Sequence, residues 1–111
     1  AHSIHNGLTA LEEAHHLLHG EKVAYGILVQ LVLEGRLDEV GRLLPFYRKL
    51  GLPASLKQMG IAITDKEKVH RAAVKAALPG ESIHVMQGGP FTAEMIAGAF
   101  RSLEEFNSEH A

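Results

Sequence analysis

Apolar residues recur at helical spacing along most of the chain. No stretch alternates apolar and polar residues with the period of two that a half-buried strand needs. Ser3 to Leu11 places Ile4, Leu8 and Leu11 on one helical face. After Gly20 and Glu21, Val23, Ile27 and Leu31 form a stripe that Ala24 and Leu28 widen, and Gly35 is placed to cap its end. Leu37 to Leu50 turns Val40, Leu43, Leu44 and Tyr47 inward, and Pro45 within it predicts a kink or a break. Gly51-Leu52-Pro53 is a stop signal, with a short helix expected over Ala54 to Met59. Thr64-Asp65-Lys66-Glu67 reads as a capping box opening a helix that runs to about Leu78, with Val69, Ala72, Ala73 and Ala76 inside. Pro79-Gly80 closes that helix, and Ser82 to Pro90 reads as a loop. Thr92 opens a last helix with Met95, Ile96, Ala99, Phe100 and Leu103 on its inner face. The pattern predicts one all-α, bundle-like domain of five to six helices over residues 1–111.

Composition narrows the function classes. With 111 residues, 46% hydrophobic and 22% charged, the chain can bury a core without covalent staples. It has no cysteine, so disulfides and thiolate metal sites are excluded, and any metal must be held by His, carboxylate or backbone oxygen. A net charge of -2, no basic run longer than Arg48-Lys49, and few aromatics argue against nucleic acid as a partner. The most apolar run, Val23 to Leu33, falls short of the roughly 18 residues of a membrane span. Ala1-His2-Ser3-Ile4-His5 has neither the basic nor the apolar region of a leader, and the expected location is the cytoplasm.

Histidine is the outlier. Of eight, five (His2, His5, His15, His16 and His19) lie in the first nineteen residues. A catalytic zinc takes three protein ligands and keeps one open position, and neutral imidazole suits it. His2 and His5 are three apart and His15 and His19 four apart, so each pair shares a face if its segment is helical. Spacing alone leaves His2/His5, His15/His19 and His2/His19 all open.

Ala1-His2-Ser3-Ile4-His5-Asn6-Gly7-Leu8-Thr9 and His15-His16-Leu17-Leu18-His19-Gly20-Glu21-Lys22-Val23-Ala24-Tyr25-Gly26 resemble the two histidine-bearing segments of glycerol dehydrogenases, in the metal-dependent, often called iron-containing, alcohol dehydrogenase family. Gly51-Leu52-Pro53 and Glu81-Ser82-Ile83-His84 match later landmarks, so the resemblance runs through essentially the whole chain. It implies a C-terminal all-α, metal-binding domain that works beside an N-terminal α/β domain binding NAD, with a polyol such as glycerol in the cleft between them. It implies His2 and His19 as metal ligands, zinc as the metal with iron as the alternative, and a third ligand, an aspartate, upstream of Ala1. His5 falls near the site without being a ligand, placed to orient substrate or relay a proton. His15 and His16 match a pair not assigned to the metal, and His84 has no assignable role. Glu21 and Asn6 are candidates to support the ligands, although Glu21 equally suits a helix amino terminus. Lys22 is expected to be solvated or paired. The family's glycerol enzymes assemble as homo-oligomers, often octamers.

The residues match no strand, Gly-rich turn and helix of a dinucleotide site, and Gly88-Gly89-Pro90 reads as a turn. The isolated chain is therefore expected to be inactive. Two other classes fit the composition: a histidine-rich, non-enzymatic metal-binding module, and a helical interaction module docking through apolar faces.

Overall fold

The computed structural model describes residues 7, 8, 19–77 and 92–109. Four α-helices follow in order: α1 (His19–Leu33), α2 (Leu37–Leu50), α3 (Lys66–Ala76) and α4 (Ala93–Glu109), with a 3-10 turn at Lys57–Met59 between α2 and α3. There is no strand among the described residues. The all-α expectation holds, with four α-helices given in full among the described residues where five to six were expected over the chain. The first expected helix is represented by Gly7 and Leu8, which are helical and buried, while the Ser82 to Pro90 loop lies outside the described residues.

Local chemistry accounts for the boundaries. Gly35 and Gly51 adopt left-handed backbone, with φ of 75° and 70°. Each closes its helix with a paired bond: Arg36 N–H reaches the Leu31 carbonyl at 2.8 Å, and Leu52 N–H the Tyr47 carbonyl at 2.9 Å. A side chain with a Cβ would strain this geometry, which is why the stop signals read from sequence held. Pro45 does not break α2, which runs unbroken from Leu37 to Leu50 with the proline exposed. At α3 the cap is the Asp65 carboxylate, which accepts from Lys68 N–H at 3.2 Å. Glu67 meets Arg71 instead of closing a Thr64 capping box. The short helix expected at Ala54 to Met59 contracts to the 3-10 turn, because its first residues are held by side chains. Gln58 Oε1 accepts from Ala54 N–H, and Ser55 Oγ accepts from Gln58 N–H.

The last helix organises the core. Ile96, Phe100 and Leu103 of α4 are fully buried, and α4 packs against both α3 and α1, while α1 also packs on α2. Each such side chain contributes about 1.5–3 kcal/mol of burial free energy. From α1, Ala24, Tyr25, Leu28 and Val29 enter this core, and Ile27 stays 41% exposed. The inner stripe is thus rotated from the one expected. Met95 is 46% exposed, on the outer side of α4. On α3, Val69, Ala72, Ala73 and Ala76 face inward as expected. The small alanines let another segment come close. A Cβ on Gly7 would collide with the Ala72 carbonyl oxygen and stand 2.9 Å from the Ala76 Cβ. Leu8, beside it, is fully buried in the same core as Tyr25 and Leu28.

Three polar ties hold the pieces in register. Tyr47 Oη on α2 donates to the Ala24 carbonyl on α1 at 2.6 Å. Asn107 Nδ2 on α4 donates to the carbonyls of Ala54 and Leu103, at 2.8 and 2.9 Å. Glu104 Oε1 on α4 accepts from Leu56 N–H, one residue before the 3-10 turn.

Candidate functional site

Of the two expected metal ligands, His19 alone lies among the described residues. His19 is the first residue of α1, so its backbone sits at the amino end of a helix anchored in the core by Ala24, Tyr25, Leu28 and Val29. A rigid element suits a ligand, because it fixes the donor before the ion arrives. His2 and His5 lie outside the described residues, as do Asn6, His15, His16 and His84. Among the described residues nearby, Gly7 lies against Ala72 and Ala76 of α3 and Leu8 is fully buried. Among the described residues, no three His, Cys, Asp or Glu come together as a metal-holding group. A donor set of two imidazoles plus one further carboxylate fits zinc or iron chemistry, and that carboxylate has no candidate in the described part.

Around the amino end of α1, Gly20 is exposed with nothing near its Cα position that a Cβ would meet. Glu21 is half-buried in the first turn, where a carboxylate is favoured by the helix dipole. Lys22, expected to be solvated or paired, is only 8% exposed, which removes the first of the two alternatives.

Sequence reasoning passed over two residues of electrostatic note. Tyr25 is fully buried, with its ring stacked on Phe100 at 6.2 Å between centroids and 28° between planes. Burial first, and then the Glu104 charge, hold its phenol well above the ordinary tyrosine range, so the hydroxyl stays protonated. Glu104 is itself pushed up by burial, against the opposing pull of the Leu56 and Lys57 backbone N–H groups and the Lys57 charge. Both could have been found from spacing, since Tyr25 and Val29, like Phe100 and Glu104, are four apart on one helical face.

A groove of about 1000 Å³ opens beside Glu104, between the 3-10 turn, the start of α3 and α4, and Lys57, Lys66 and Arg101 stand on its rim. It shares no lining residue with α1. No helix among the described residues is long and apolar enough to cross a membrane.

No family model matches the chain. Individual relatives match nearly all of it. Glycerol dehydrogenase of Pseudomonas putida is 46% identical over 100 residues, covering 89% of this chain and 27% of the relative. Glycerol dehydrogenase of Citrobacter freundii is 48% identical over 87 residues, covering 78% of this chain and 24% of the relative. The crystal structure of a probable glycerol dehydrogenase from Sinorhizobium meliloti 1021 superposes with a TM-score of 0.90 at 38% identity, covering 97% of this chain and 30% of that one. The chain thus spans about a quarter of the length of the curated relatives it matches. In sequence and in fold it corresponds to the helical C-terminal part of the glycerol dehydrogenases.

Proposed function

We propose that this chain is the metal-binding part of an NAD-dependent polyol dehydrogenase that oxidises glycerol to dihydroxyacetone. The observation that carries the reading is the 46% identity to a glycerol dehydrogenase over 100 residues, joined to a fold that superposes on another at a TM-score of 0.90. His2 and His19 would hold the ion, with an aspartate supplied by the remainder of the protein. Zinc is the metal of choice and iron the alternative. When bound, the ion supplies Lewis acidity toward a substrate hydroxyl.

The chain's own residues have three tasks. His19, at the start of α1, supplies one imidazole from a helix end. His2 supplies the second imidazole. His5, three residues after His2, orients the polyol or takes up the hydroxyl proton. The hydride goes to NAD, which is held by an α/β domain beyond these residues. Small vicinal diols, hydroxyketones and aldehydes are the neighbouring substrate classes. The working protein is a cytoplasmic homo-oligomer. In support of a larger assembly, Phe46 and Leu50, one turn apart on α2, are 58% and 56% exposed.

The test is NAD reduction with glycerol by the protein carrying its natural upstream sequence, with and without chelator. Activity that dies with chelator and returns with zinc supports the reading, and His2→Ala and His19→Ala should each abolish it. A metal-loaded protein that reduces NAD with no polyol or alcohol overturns it, in favour of a non-enzymatic metal-binding module.

A further inference from the structure

Tyr25 carries the one buried side-chain oxygen or nitrogen among the described residues that has no hydrogen-bond partner. Buried polar groups are nearly always satisfied, and an orphaned one costs about 1–3 kcal/mol. Two observations say where its partner is. The Tyr25 ring lies stacked on Phe100, and Glu104 stands one helical turn beyond Phe100 on α4. Burial first, and then the Glu104 charge, raise the Tyr25 phenol, which agrees with that placement. Glu104 is turned inward far enough for Oε1 to bind the Leu56 N–H, while its outer side borders the groove.

We propose that the Tyr25 hydroxyl donates to the Glu104 carboxylate across a single water, forming a buried hydroxyl–carboxylate couple that locks α1, α4 and the 3-10 turn together. Tyr25 is the donor, because its phenol stays protonated. Glu104 is the shared acceptor, taking one bond from the loop and one from the water that Tyr25 holds. The charges facing the carboxyl are Lys57 from the 3-10 turn, with Lys66 from the start of α3, Arg48 from α2, and Arg101 and Glu105 from α4 around the same groove. Tyr25 is thereby a positioning residue. It fixes the rotation and depth of the helix that begins at His19. That consequence rests on His19 being a metal ligand, whereas the couple itself does not.

The test uses Tyr25→Phe, which removes only the hydroxyl, in the 111-residue chain with no metal added. If the couple exists, Tyr25→Phe lowers the unfolding midpoint by about 3–6 °C. Carboxyl-carbon NMR then shows the Glu104 titration moving upward, because a donor to the ionised form is gone. In a cycle with Glu104→Gln, the double variant loses less than the two single losses together. A Tyr25→Phe chain as stable as the parent or more so, with the Glu104 titration unmoved, overturns the couple and leaves the hydroxyl an orphan. Because Tyr25→Phe preserves the ring and its stacking, the titration decides the matter even if Glu104→Gln fails to fold.

Discussion

Gly7→Ala is the sharpest perturbation the packing offers. Adding one methyl to a helical glycine ordinarily stabilises by about 0.5–1 kcal/mol, because the unfolded chain loses freedom. At Gly7 the added Cβ would strike the Ala72 carbonyl oxygen and crowd the Ala76 Cβ at 2.9 Å. The first is backbone within α3 and cannot rotate aside, so the two segments must separate. Overpacking of this kind costs about 1–3 kcal/mol. The clash outweighs the entropic gain, and the net loss should be about 1–2 kcal/mol. For a chain of this size that is a fall of about 5–10 °C in the unfolding midpoint. Gly98→Ala is the matched control: it lies inside α4, and its nearest neighbour is the flexible end of Arg101 at 3.9 Å. That variant should gain about 0.5–1 kcal/mol. Thermal and urea unfolding of the two side by side give the answer. If Gly7→Ala matches or exceeds the parent while Gly98→Ala gains as expected, Gly7 does not lie against α3 as described.

Tyr47→Phe should cost about 1 kcal/mol in urea unfolding by deleting the bond to the Ala24 carbonyl, the tie between α2 and α1. Asp65→Ala should cost about 1 kcal/mol and speed amide exchange in the first turn of α3, where Lys68 N–H loses its acceptor. Burial raises the folded-state value of Glu104, so its contribution to stability is complete below the ordinary glutamate value and is lost as pH rises through the raised one. Unfolding midpoints followed across that window should show a fall that Glu104→Gln flattens. The isolated 111-residue chain should show no NAD reduction with glycerol in a spectrophotometric assay, and measurable turnover would refute the division of labour proposed for it.

Much of the fold was legible because the relevant signals are local. Gly35 and Gly51 mark helix ends through a backbone conformation that other residues resist, and Val69, Ala72, Ala73 and Ala76 announce the buried face of α3 by spacing alone. What could not be read locally went astray. Ile27 and Met95 look like core residues, but which side of α1 or α4 is covered depends on partners distant in the chain. Of the kink or break that Pro45 predicts, the break is absent, since α2 continues through it at an exposed position. Glu104 drew no reading from the sequence, because the Leu56 N–H it accepts from comes from a loop 48 positions away. The ligand pair His2/His19 came from resemblance, because spacing treats three histidine pairs alike.

The place of α4 has a consequence for how the protein is made. It is the last described helix to be synthesised, yet it packs on both α1 and α3 and supplies the bonds to Leu56 and Ala54, which lie 48 and 53 positions earlier in the chain. At about 5–20 residues per second, α1 to α3 wait on the ribosome for seconds with Tyr25, Leu28 and Val69 uncovered. Nascent chains stalled before Ala93 should therefore be sticky and protease-sensitive, and release of the final helix should close the core in one cooperative step.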